Sequence, residues 1–162
     1  MRKTIDYGIH LGTEFAAIAV YDGTRAEVIR NNENLEVTHS VVHLDKNKSL
    51  VVGRAAYERL ELDPGNTFGE FKLQMGSDHV CEFERDGREM TPVELSAEVL
   101  KSLKADVQQR KGEDLFAAAI FASTQRIEGV ELPKSRREKI WNDSERLMLE
   151  SLRSLYSKAS EE

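Results

Sequence analysis

The sequence predicts an α+β fold built on a mixed sheet, and three stretches carry that expectation. Residues 5–29 read as an antiparallel meander, because the apolar runs 5–11, 16–21 and 26–29 are separated by two glycine-bearing turns, Gly12-Thr13-Glu14 and Asp22-Gly23. Residues 92–111 read as one amphipathic helix that packs on the sheet. Residues 115–122 are nearly all apolar and bounded on both sides, as a central strand covered on two faces should be.

The elements between these landmarks follow from local chemistry. Residues 31–38 are polar and read as a loop, after which Ser40 to Leu44 resumes strand character. The turn Asp45-Lys46-Asn47-Lys48 returns the chain through Ser49 to Val52 as a hairpin, which Gly53 ends. Residues 55–62 have helical spacing, and Asp63-Pro64-Gly65 stops them, since proline disfavours helix in the residue before it. Residues 67–75 are too short to classify by periodicity, and a single helical turn over 70–73 is the reading adopted. Asp86-Gly87 sits between Val80–Glu84 and Arg88–Met90 and is a strong hairpin signal. Thr91 then suits an N-cap, Pro92 the first helical position, and Glu94 completes the box T-x-x-E. Leu95, Val99, Leu103 and Val107 recur every four residues with Leu100 beside them, and Gly112 is the C-terminal stop. Residues 135–158 form a second amphipathic pattern, with Trp141, Met148, Leu152 and Leu155 on one side. That face either covers the sheet or is held for a partner, a second copy included.

Composition narrows the function classes. A chain of 162 residues, 40% apolar, suits one ordinary domain and not two large ones. A net charge of −6 argues against a general nucleic-acid binder. No apolar run approaches the ~20 residues of a membrane span, and Met1-Arg2-Lys3-Thr4 leads into a strand, unlike a signal peptide. The single cysteine, Cys81, has no internal partner, which fits a reducing cytoplasm. One thiol and four scattered histidines give no metal cluster.

The turn at Gly12 is the first candidate site. A glycine in a tight turn lets backbone N–H groups converge on one point, an arrangement suited to phosphate; the same residues also make a plain hairpin. Tyr7-Gly8-Ile9-His10-Leu11-Gly12-Thr13 resembles the first phosphate loop of the sugar kinase, actin and heat-shock ATPase superfamily, written G-I-D-L-G-T-T. More of the chain resembles the seventy-kilodalton heat-shock chaperones, the DnaK family, and does so in order. Asn31-Asn32-Glu33 with Ser40-Val41-Val42 resembles N-x-E-G-x-x-x-T-P-S-V-V, and Leu50 to Ala56 resembles L-V-G-x-x-A. Phe71-Lys72-Leu73-Gln74-Met75-Gly76 is similar to F-K-R-L-M-G, and Thr91 to Ala97 to S-P-E-E-I-S-A. The resemblance runs from about Ile5 to Ile120 and fails beyond Ala122. Glu131-Leu132-Pro133 and Asn142 to Arg146 each resemble motifs of different bacterial relatives, and each match needs an insertion.

The resemblance implies a ribonuclease-H-like, actin-like ATPase lobe. Its core subdomain would comprise residues 1–37 and 91–162, and 38–90 would be an inserted rim. It implies phosphoryl transfer to water around MgATP, where the protein supplies positioning and charge compensation. It also implies chaperone or cochaperone partners. By that mapping Gly12, Thr13, Glu14, Phe15 and Lys72 stand at nucleotide-binding positions, with Lys72 in the catalytic lysine's place. Two positions depart from the pattern. His10 stands where the metal-holding aspartate belongs, and Glu14 where a second threonine belongs.

These departures weaken the site. A carboxylate about 4 Å from a phosphate oxygen repels it by roughly 4 kcal/mol at an effective dielectric near 20, about three decades of affinity. Histidine is a poor ligand for Mg²⁺, which takes carboxylates and water. A protonated His10 could offset Glu14 as a local salt bridge; the plainer alternative is a polar residue at a strand end. Lys72 is either an exposed lysine or a phosphate contact. The family's second phosphate loop has no counterpart in residues 123–162. The expectation is therefore a truncated ATPase lobe, inactive alone, with weak ATP/ADP and Mg binding or none, acting as an interaction module. The alternative is a nucleotide-binding fragment that completes its site by dimerising or with another chain.

Overall fold

A computed structural model describes residues 7–22, 24–115 and 118–121. The first hairpin forms as its apolar runs require. Strands β1 (Tyr7–Leu11) and β2 (Phe15–Tyr21) pair antiparallel with Ile9 opposite Ile18. Strand β3 (Ala26–Val28) pairs with the end of β2, and Asp22 closes the turn between them by accepting the N–H groups of Thr24 and Arg25. The loop expected at 31–38 ends in an unexpected strand, β4 (Thr38–His39), which pairs with the start of β2. Two residues leave no periodicity to read, and the pairing is with a distant segment.

Strands β5 (Val41–Leu44) and β6 (Leu50–Val52) make the second hairpin, where Asp45 accepts the N–H groups of Asn47 and Ser49. The helix expected over 55–62 is only one turn, α1 (Arg54–Tyr57). Past it the backbone tightens, with Arg59 N–H on Ala56 O and Leu60 N–H on Tyr57 O. Only Ala56 of α1 is buried, and Leu62 is 73% exposed. No apolar stripe holds a longer helix, and packing is what normally stabilises one. Strand β7 (Thr67–Gly69) was not anticipated and pairs with β5; a 3-10 turn over Phe71–Gln74 follows, close to the turn expected at 70–73. Strands β8 (Cys81–Phe83) and β9 (Arg88–Met90) form the hairpin around Asp86-Gly87, with Gly87 at φ +69°.

Helix α2 spans Pro92–Lys111, bounded by the capping box of Thr91 and Glu94 and by Gly112 in a left-handed conformation. Its stripe Leu95, Val99, Leu103 and Val107 is fully buried against Ile9 and Ile18 of the sheet. The same core continues through Val42, Leu44, Phe71 and Phe83, so sheet, hairpins and helix share one apolar interior. Strand β10 (Ala119–Phe121) then lies parallel to β1, which makes the sheet mixed and the fold α+β. The run 115–122 was expected as a central strand. Among the described residues β10 is instead at the sheet edge, with Ile120 54% exposed. The amphipathic pattern at 135–158 lies outside the described residues. Among those described, no helix is long and apolar enough to cross a membrane.

Candidate functional site

The turn between β1 and β2 is shaped by its glycine. Gly12 N–H donates to Phe15 O at 2.9 Å, and a Cβ on Gly12 would stand 2.4 Å from that same oxygen and 2.8 Å from His10 Nε2. No other residue fits there without moving backbone. Ser40 fastens the turn from outside: its N–H donates to Glu14 O at 2.9 Å and its buried hydroxyl to Gly12 O at 3.0 Å. Thr13 is half-buried, Glu14 is exposed at the tip, and Phe15 is half-buried as the first residue of β2.

Lys72 arrives from far along the chain. Glu70 takes a left-handed conformation at φ 54°, turning the chain into the 3-10 segment that carries Lys72 inward. The lysine is buried, its Nζ donates to Leu11 O, and burial pushes its pKa down. The alternative of an exposed lysine is therefore wrong: Phe71, buried in the core beside it, draws this end of the 3-10 segment in, while Leu73 and Gln74 stay exposed.

His10 is buried inside β1, opposite Ala17 and beside Phe121 in the strand ladders. Burial first, and the nearby Lys72 charge second, hold its pKa down to about 4. It is neutral at pH 7, so the salt bridge of a protonated His10 with Glu14 does not form. The plainer reading, a polar residue at the strand's end, fits its place one residue before the end of β1, where it is buried. A buried neutral imidazole next to an ammonium group is a poor donor set for Mg²⁺, which requires hard oxygen ligands. The residues present do not fit a magnesium anchor at this position.

Three features beside the turn escaped the sequence reading. The rings of Phe15 and His39, opposite each other on β2 and β4, stand 4.6 Å apart, and the His39 ring stacks on Tyr57 of α1 at 4.2 Å and 19°. Neither histidine nor tyrosine sits in a pattern that announces the stack, because strand pairing and α1 bring them together. Asn31 organises the preceding loop: it is buried, accepts the N–H groups of Glu33 and Leu35, and donates to Val37 O and Thr38 Oγ1. Asp106 and Arg110 of α2 hold that loop from below, Asp106 accepting Asn32 N–H and Arg110 donating to Arg30 O and Asn31 O. Asp106 is buried and its pKa is pushed up to about 6 by that burial, against smaller opposing effects of Asn32 N–H and Arg110.

The geometry thus brings Gly12, Thr13, Glu14, Phe15, His10 and Lys72 to one end of the first sheet. Comparison with known families agrees with the order of motifs along the chain: a family model described as Hsp70 protein matches residues 6–124. That span includes the turn, Lys72, α2 and β10, and it exceeds half of the chain, so the polypeptide belongs to the Hsp70 family of nucleotide-binding heat-shock chaperones.

Proposed function

We propose that this chain is a chaperone-ATPase lobe of ribonuclease-H-like type that does not hydrolyse ATP by itself and acts in the cytoplasm as an interaction module. Residues 1–37 and 91–162 would be its core subdomain, and 38–90 a rim that meets chaperone or cochaperone partners. One observation supports this reading: His10, which the motif resemblance sets where the family has its metal-holding aspartate, is buried and neutral. With no carboxylate there, magnesium that neutralises the phosphates would lack the anchor that the resemblance assigns to residue 10. Glu14 at the turn tip adds a carboxylate where the triphosphate would lie.

Titration of the purified chain with MgATP by calorimetry, alongside phosphate release, tests the proposal. Dissociation in the millimolar range or no heat, with no release above background, is expected; a micromolar Kd overturns it. The double variant His10→Asp with Glu14→Thr should bind MgATP at least about tenfold more tightly than the parent, a gain of ~1.4 kcal/mol. Weaker binding by that variant would show that these positions have been misread.

A second reading is favoured by Lys72, whose ammonium already lies against Leu11 at the foot of the turn. In it the chain binds nucleotide after completing its site with a second copy or another chain. Sedimentation combined with MgATP titration over a range of protein concentrations separates the first reading from the self-associating form of the second, because only the latter requires nucleotide binding to appear as the chain self-associates.

A further inference from the structure

One buried acid is held apart from a base that stands one turn away on the same helix. Asp106 is 4% exposed on α2 beneath the 31–35 loop, where its Oδ1 accepts Asn32 N–H at 3.2 Å. Its Oδ2 is buried and has no hydrogen-bond partner among the described residues. Arg110 follows at i+4, the spacing at which an acid and a base on a helix pair. Its guanidinium instead donates to Arg30 O at 3.2 Å and to Asn31 O at 2.6 Å. The loop itself is one unit built on Asn31, whose N–H donates to Leu35 O at 2.8 Å and whose side chain joins Glu33, Leu35, Val37 and Thr38. The charged groups on the helix side are Arg110 and, at the helix end, Lys111, which pairs with Glu27 of β3 at 3.0 Å. On the loop side they are Arg30, paired with Glu36 at 3.2 Å, and Glu33.

An ionised carboxylate buried with a single N–H donor is costly, and lifting the loop removes that cost in two ways. Water reaches Asp106, and Arg110, released from the loop carbonyls, pairs with it. A protonated Asp106 has no charge to solvate and stays under the loop. We propose that the 31–35 loop is a clasp on α2 that releases when Asp106 gives its proton to water, Arg110 passing from the loop carbonyls to the carboxylate. The direction follows from burial, which raises the Asp106 pKa to about 6. The closed loop keeps the proton up to about that pH, whereas the open loop loses it near the ordinary 3.8 or below. Closure is therefore fully favoured in acid and lost as pH rises from 3.8 through about 6. The clasp goes beyond the interaction-module reading and is independent of it, since neither nucleotide nor partner enters.

The test is amide hydrogen exchange on the full chain at pH 4.5 and 7.0, each rate divided by that of an unstructured peptide at the same pH. Protection at Asn31, Asn32 and Leu35, taken relative to Leu103 inside α2, should fall by about tenfold or more between the two. In Asp106→Asn, whose side-chain oxygen still accepts Asn32 N–H and which carries no charge to solvate, that fall should vanish. Arg110→Gln should lower loop protection several-fold already at pH 4.5, because the carbonyls of Arg30 and Asn31 lose their charged donor. Carbon-detected NMR of the parent should place the midpoint of the Asp106 carboxyl at about 6. Melting curves report whether each variant is folded, and where one is not, the parent's exchange and carboxyl titration decide. The proposal is overturned by loop protection that keeps the same ratio to Leu103 at both pH values, by an Asp106→Asn chain that retains the parent's fall, by unchanged loop protection in Arg110→Gln, or by a carboxyl that titrates at the ordinary 3.8. None of these readouts involves MgATP, so failure here and failure of the nucleotide-free reading are separate results.

Discussion

His10 and Asp106 are both buried, and burial drives their ionisation in opposite directions. Between about 4 and the ordinary 6.5, folded His10 holds fewer protons than the unfolded chain, so its linkage adds stability as pH rises and removes it as pH falls. Between the ordinary 3.8 and about 6, folded Asp106 holds more protons than the unfolded chain, so its linkage removes stability as pH rises. Each effect spans about 3 kcal/mol over its full window, and between pH 4 and 6 they nearly cancel. Single variants should unmask them. Compared with the parent, the stability change from pH 4.5 to 6.0 should fall by about 2 kcal/mol in His10→Gln and rise by about 2 kcal/mol in Asp106→Asn. Urea denaturation at the two pH values measures both. Offsets that are the same at both pH values would mean that neither group titrates as its burial requires. Neither burial is written locally in the sequence: His10 alternates with apolar neighbours in a strand, and Asp106 looks like part of the charged back of α2 until the 31–35 loop packs over it.

Among the elements, the β1–β2 turn and α2 were legible because their signals are local. Thr91, Glu94 and Gly112 mark α2 by caps that act within one turn, and the structure bounds the helix where they stand. Strands β4 and β7 were not legible, since two or three residues carry no period and exist through pairing with β2 and β5. Lys72 was placed at the site only by resemblance; its inward course depends on the left-handed Glu70 and on packing beneath α2. The turn itself supplies the sharpest element-level prediction. Gly12→Ala puts a Cβ 2.4 Å from the Phe15 carbonyl, a backbone atom that cannot rotate away. The hairpin must open or lose the Gly12–Phe15 hydrogen bond, at about 2–3 kcal/mol. Chemical denaturation should show that loss, and amide exchange at Ser40, whose N–H is bonded to Glu14 O, should accelerate with it. A variant with unchanged midpoint and unchanged Ser40 protection would mean that the turn has room the geometry does not show.

On the scale of the molecule, the question is whether the hairpins between residues 41 and 90 stand apart from the first sheet. The core gives a physical answer. Phe83, fully buried, packs edge-on to Phe68 at 4.8 Å and belongs to the same apolar cluster as Ile9, Ile18, Leu95 and Val99. Arg85 reinforces the junction within 41–90 by pairing with Asp63 and donating to Leu44 O. A cavity at Phe83 should therefore be felt by both regions. Phe83→Ala is expected to lower global stability by about 3–5 kcal/mol, and hydrogen exchange under native conditions should lose protection by a similar free energy at Ile18 in β2 and at Val42 in β5. If only amides within 41–90 lost protection while β1, β2 and α2 kept theirs, the cluster would be two cores in contact, and the rim would unfold as a unit of its own.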